Sequence, residues 1–205
     1  MDVIEFIRGV FGNNPVEWTA VVFGIVSVYL SVRENVWGWP TGIINVSMYV
    51  FIFFNAKLYA DMGLQVFYIA ISFYGWWNWL YGGANHSELH VTRLSRRMVL
   101  VLPLVGVVGA AALGTLLQRN TDAALPFLDS TLTVASLIAQ YLMTKKVLEN
   151  WAIWVLADVA YVGMYINKAL YPTAFLYSVF LVLATMGWFQ WKRSWRQQQA
   201  APAAS

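Results

Sequence analysis

The chain has 205 residues, 60% of them hydrophobic and only 11% charged, with a mean hydropathy of +0.57. That leaves too little polar surface to cover a water-soluble globule and places the chain in a bilayer. Cysteine is absent, which excludes a disulfide framework and thiol chemistry, and the net charge of +3 requires no nucleic-acid partner.

Residues 1–15 lack the long apolar stretch and small-residue cleavage site of a signal peptide. Val3, Ile4, Phe6, Ile7 and Val10 instead predict a short amphipathic helix lying on the membrane surface, stopped by Gly12-Asn13-Asn14-Pro15. Seven apolar runs follow, near 17–33, 40–56, 63–82, 98–118, 129–144, 150–167 and 173–191. Lipid offers no hydrogen-bond partner to exposed backbone, and continuous rather than alternating apolarity selects helices over a barrel.

The first span carries a row of small residues, Ala20, Gly24, Ser27 and Ser31, spaced to admit a close neighbour. The second opens at Trp39-Pro40 and sets Asn45 and Tyr49 one turn apart, and the third ends in Gly75-Trp76-Trp77-Asn78-Trp79. The loop 83–97 holds His86 and His90, a metal-compatible spacing on a helix, but no third ligand is evident and a solvated loop is expected. Pro103, Gly106, Gly109 and Gly114 mark the fourth span. The fifth shows a polar stripe of Thr133, Ser136, Gln140 and Thr144, and the sixth puts Trp154, Asp158, Tyr161 and Tyr165 on one face. The seventh ends in Gly187-Trp188-Phe189-Gln190-Trp191, and the Gln/Ala-rich tail after Trp195 is expected to be disordered.

The two Trp-rich motifs are 112 residues apart, and the same offset pairs Glu17 with Asp129, Tyr29 with Tyr141, Trp39 with Trp151, Tyr49 with Tyr161 and Asn55 with Asn167 without a gap. The expected organisation is an all-α integral membrane protein of seven transmembrane helices. It divides into a surface segment 1–15, a three-helix repeat 16–82, a linking segment 83–128 holding the fourth helix, a second three-helix repeat 129–194 and a tail 195–205. Three helices plus one is an even number, so the second repeat enters the membrane in the same orientation as the first. Four cations (Arg8, Lys57, Arg119, Lys168) fall on one side and nine on the other, including Arg33, Arg93, Lys145, Lys146 and Arg193; the richer side is predicted cytoplasmic, with the N-terminus outside.

Asp158 lies near the middle of its span, where a carboxylate costs several kcal/mol unless paired or wetted, so it heads the functional candidates. Trp76, Trp79, Trp188 and Trp191 flank the amides Asn78 and Gln190, an arrangement that an interfacial aromatic belt does not require. Together with Asn45, Tyr49, Gln140 and Tyr161, these residues suit a flat aromatic ligand with hydroxyls and a positive charge. No membrane-buried His, Ser-His-Asp set, Gly-rich phosphate loop or paired carboxylates point to an enzyme, and no cofactor or metal is called for. No lysine lies deep in a span to hold a retinal Schiff base.

Over about 17–195 the sequence resembles the PnuC family of bacterial vitamin transporters. The likeness rests on Trp76-Trp77-Asn78-Trp79, Trp188-Phe189-Gln190-Trp191, Trp39-Pro40-Thr41-Gly42 and Asn167. It implies a SWEET-like 3+1+3 fold and a homotrimer in the bacterial cytoplasmic (inner) membrane. It also implies facilitated diffusion of nicotinamide riboside, a form of vitamin B3 and NAD precursor, trapped inside by phosphorylation. The motif aromatics would then hold the nicotinamide ring, Asn78 or Gln190 its amide, and Gln140, Asp158, Tyr161 and Asn45 the ribose. Thiamine or riboflavin as substrate, proton coupling through Asp158, and a receptor or scaffold role stay open.

Overall fold

The computed structural model describes residues 2–11, 15–55, 57, 59–121, 125–167 and 169–200. Among them are eight α-helices: α1 (Val3–Phe11), α2 (Pro15–Val32), α3 (Gly38–Asn55), α4 (Tyr59–Tyr81), α5 (Arg96–Asn120), α6 (Pro126–Thr144), α7 (Asn150–Asn167) and α8 (Tyr171–Ala200). The predicted stop at Gly12-Asn13-Asn14, the cation Lys168 and the last five residues of the tail lie outside the described residues. Three helices, α2, α5 and α8, are long and apolar enough to cross a membrane, so the chain is a multi-pass membrane protein. Asn45, Gln65, Gln140 and Asp158, on the other helices, face an internal cavity.

One expectation fails at the C-terminus. Helix α8 runs to Ala200 and does not give way to disorder after Trp195. Gln and Ala are good helix formers, and Trp195 is held by the Arg93 guanidinium 5.2 Å above its ring, so the turn at Trp195 has a tertiary anchor. The two loop histidines do not share a helix face either: His86 closes the one-turn 3-10 helix Ala84–His86, and His90 follows in extended chain.

Helices α2, α3 and α4 pack in succession, as do α5, α6, α7 and α8, and the two groups meet through α2 on α8 and α4 on α6. The small-residue row on α2 works as its spacing predicts. Ser27 Oγ donates to the Gly38 carbonyl at 2.7 Å, and a Cβ on Gly42 would come within 2.8 Å of Ser27 Oγ, so α3 lies close against it. On α5, Gly114 makes room for the Phe127 ring of α6, and Gly109 faces Val134. The other side of α5, with Leu100, Leu104 and Val107, is exposed, as a lipid-facing surface should be. Helix α1 docks at the end of the bundle, with Val10 buried and Phe6 edge-on to Phe175 at 5.5 Å.

The 112-residue offset recurs atom for atom. Trp79 Nε1 donates to the Met143 carbonyl at 2.9 Å and Trp191 Nε1 donates to the Ser31 carbonyl at 3.1 Å; Met143 is Ser31 advanced by 112, so the two groups exchange equivalent hydrogen bonds. Trp39 packs over Gly75 and its counterpart Trp151 over Gly187, where any larger side chain would collide with the indole. Glu34 and Lys146, again 112 apart, both adopt left-handed backbone and form an ion pair at 3.1 Å. Each contact sits on or across one pseudo-two-fold axis.

The core lies on that axis. Trp39, Trp79, Trp191 and Trp151 run in a row with ring centroids 5.4, 5.7 and 5.4 Å apart, the outer two contacts being edge-to-face. Such pairs contribute about 0.5–1.5 kcal/mol each beyond the area they bury. The segment after α4 straps this core: Thr92 pairs with Val147, Lys146 Nζ donates to the Leu89 carbonyl, and Arg93 bonds Glu149.

Candidate functional site

A cavity of about 680 Å³ opens between the two groups of helices, within the size range of small-molecule sites. It extends from Gly9, Val10 and Glu17 at the α1 end to Trp39, Trp151 and Ala184 at the tryptophan row. Its walls are supplied by α2, α3, α4, α6, α7 and α8, with α1 at one end.

Helix α7 contributes the most chemistry. Trp154, Asp158, Tyr161 and Tyr165 follow one another at spacings of four, three and four, so the helical period turns all four to the cavity. Asp158 is buried, and among the described residues no side chain pairs with its carboxylate. The tyrosines form a cluster with α8: Tyr161 and Tyr165 stack at 6.1 Å, and Tyr177 lies 4.7 Å from Tyr161 and 5.2 Å from Tyr165. Tyr177 in turn meets Phe180 edge-on. Opposite stand Tyr49 and Phe53 of α3, 5.8 Å apart, and Tyr68 of α4. Among the described residues, Glu17 and Asp158 are the only carboxylic acids in the lining, and no Lys, Arg or His lines it.

Five of the residues singled out from sequence line this space: Asn45, Tyr49, Gln140, Asp158 and Tyr161. Asn45 also ties α3 to α2, its Nδ2 donating to the Ala20 carbonyl at 2.6 Å. The other six do not reach the cavity, and the reason is packing. Trp79 and Trp191 are buried in the row with their N–H groups committed across the axis, and Asn78 Nδ2 donates to the Thr144 carbonyl at 2.7 Å. Trp76 and Trp188 pack on the same core, Trp76 also stacking with Phe73, and Gln190 is half-buried outside the lining. The indoles that do face the cavity are Trp39, Trp151 and Trp154.

The sequence alone did not single out Trp39, Trp151, Trp154, Tyr165, Tyr177 or Gln65 as candidates for the site. A usable signal was present. Trp154 and Tyr165 share the face of Asp158, and Gln65 and Tyr177 are 112 apart, so a polar counterpart pair marks one position in both copies.

The sequence pattern of the family described as "Nicotinamide mononucleotide transporter" matches residues 14–193. The chain belongs to this family, the PnuC family of transporters. It is 28% identical to the nicotinamide riboside transporter PnuC of Escherichia coli strain K12, the match covering 93% of this chain and 90% of that one. Against the nicotinamide riboside transporter PnuC of Neisseria mucosa the identity is 27%, over 90% of this chain and 75% of the relative. The riboflavin/roseoflavin transporter RibM of Streptomyces davaonensis is 24% identical, over 83% of this chain and 81% of its own length. A crystal structure of the vitamin B3 transporter PnuC superposes with a TM-score of 0.70 at 23% identity, covering 96% of this chain and 99% of that one, which shows a shared fold.

Proposed function

We propose that the protein carries nicotinamide riboside across the bacterial inner membrane by facilitated diffusion through the cavity on the pseudo-two-fold axis. The observation that carries this reading is Asp158, a buried carboxylate without a partner among the described residues, set in a cage of tyrosines beside Trp154. A pyridinium ring gains there from both ring faces and the carboxylate. The relatives named as nicotinamide riboside transporters support the same substrate.

The lining argues for a riboside over a mononucleotide. With Glu17 and Asp158 present and no cation among the described lining residues, a phosphate would meet like charge and find no basic partner there. Phosphorylation in the cytoplasm would therefore produce a molecule the cavity does not accept, which makes uptake one-way without ion coupling.

The proposed frame is seven spans, α2–α4 and α6–α8 as parallel three-helix units with α5 as linker and α1 on the outer surface. The reciprocal hydrogen bonds at an offset of 112 support it, and the cation-rich loops support a cytoplasmic C-terminus. A homotrimer is expected from the family resemblance. A second reading, proton-coupled transport with Asp158 as carrier, draws on that same unpaired carboxylate.

The test is flux of labelled riboside into proteoliposomes, with nicotinamide mononucleotide, thiamine and riboflavin as competitors. Uptake that equilibrates, ignores an imposed pH gradient and is inhibited only by the riboside supports the proposal. Accumulation driven by the gradient supports proton coupling, competition by riboflavin alone reassigns the substrate, and binding without flux indicates a receptor.

A further inference from the structure

On α8, one stripe runs past the end of the bundle. Val182, Met186 and Phe189 are exposed by 59%, 46% and 65%, and Arg193 and Arg196 continue the line at alternating spacings of four and three. Trp188, Trp191 and Trp195 occupy the opposite side of the helix and pack on the core, so the stripe faces away from the bundle. Lys192 and Gln197 flank it, and with Phe189, Arg193 and Arg196 they line a cleft of about 400 Å³. No acid lines the cleft, none of its three cations is ion-paired among the described residues, and residues 201–205 carry no acidic side chain.

We infer that this stripe is a binding site for an anionic phospholipid of the leaflet at the C-terminal end of α8. At 1.5 Å per residue, Arg193 and Arg196 lie about 6 and about 10 Å beyond Phe189 along the helix, the thickness of a headgroup layer. An acyl chain would lie along Val182, Met186 and Phe189 while its phosphate meets Arg193, Arg196 and Lys192. A soluble anion would use only the cations, whereas the apolar run in the same line fits a lipid. The first half has no equivalent: Arg193 and Arg196 correspond to Tyr81 and Ala84, and α4 ends at Tyr81. This site depends on α8 spanning the bilayer and is independent of what the cavity carries.

Native mass spectrometry of the detergent-purified full chain tests it, with phosphatidylglycerol and phosphatidylcholine of identical acyl chains as probes. Phosphatidylglycerol should be retained in preference to phosphatidylcholine, with the preference falling about fivefold for each of K192Q, R193Q and R196Q. The pair R193K/R196K should keep it, as should R96Q/R97Q, which neutralises cations on α5. Each of the three cleft cations is neutralised singly, so a variant that failed to fold would leave the other two to decide the test. No headgroup preference in the wild type, unchanged preference in the single variants, or displacement of the lipid by inorganic phosphate would each overturn the assignment.

Discussion

The helices α2–α4 and α6–α8 share the residues of their central packing and diverge over most of the cavity lining, Tyr49 and Tyr161 being an identical pair there. Trp79 and Trp191 are identical and each donates its N–H to a backbone carbonyl across the axis, while the identical Trp39 and Trp151 pack over the identical Gly75 and Gly187. At the cavity the pairs read Gly24 and Ser136, Val28 and Gln140, Gly42 and Trp154, Val46 and Asp158, Phe53 and Tyr165. Two of the reverse cases, Ser27 against Ala139 and Asn45 against Ala157, place first-copy polar groups in bonds between α2 and α3, while Tyr68 against Phe180 and Ser72 against Ala184 leave polar groups of the first copy at the cavity. Both copies supply polar groups to the cavity, and the second adds the buried carboxylate of Asp158.

The comparison can be broken most severely at the shared tryptophans. Trp191→Ala and Trp79→Ala each remove a buried indole and its cross-axis bond, and each should destabilise by about 3–5 kcal/mol, with similar loss of folded protein on size-exclusion chromatography. If one variant were tolerated and the other not, the two copies would not be equivalent supports. Gly187→Val and Gly75→Val should follow at about 1–3 kcal/mol, read as matched drops in melting temperature, because the Trp151 and Trp39 rings leave no room for the added carbons.

A smaller effect sharpens the comparison at the loops. The Glu34–Lys146 pair is largely shielded and joins equivalent positions, whereas Arg93–Glu149 lies on the strap with its arginine half exposed. A double-mutant cycle in melting free energy should give about 1 kcal/mol for the first pair and less for the second, the latter vanishing in high salt. A larger coupling for Arg93–Glu149 would move the main latch from the axis to the strap.

Much of this was legible before the structure. Apolar run length located the helices to within a few residues, except that α8 extends to Ala200, and the offset of 112 foretold which residues would be equivalent. Helical spacing also placed Asp158 and Tyr161 on one face, which proves to be the cavity face. What misled was the prominence of the Trp-rich motifs. Their amides and indole N–H groups could serve a ligand or a neighbouring helix equally well, and only three-dimensional contacts reveal that Asn78, Trp79 and Trp191 are spent on backbone carbonyls. Conversely, Trp39 and Trp151 sit at helix starts, where a belt residue and a cavity floor look alike.

The account stands on the carboxylate of the second copy recognising charge. Calorimetry of nicotinamide riboside and its uncharged dihydro form should therefore be compared on the wild type, Asp158→Asn and Val46→Asn. The account predicts that Asp158→Asn weakens the charged riboside by about 10- to 100-fold, spares the dihydro form, and that Val46→Asn changes either by no more than a few-fold. Equal affinity of Asp158→Asn and wild type for the charged riboside would contradict it.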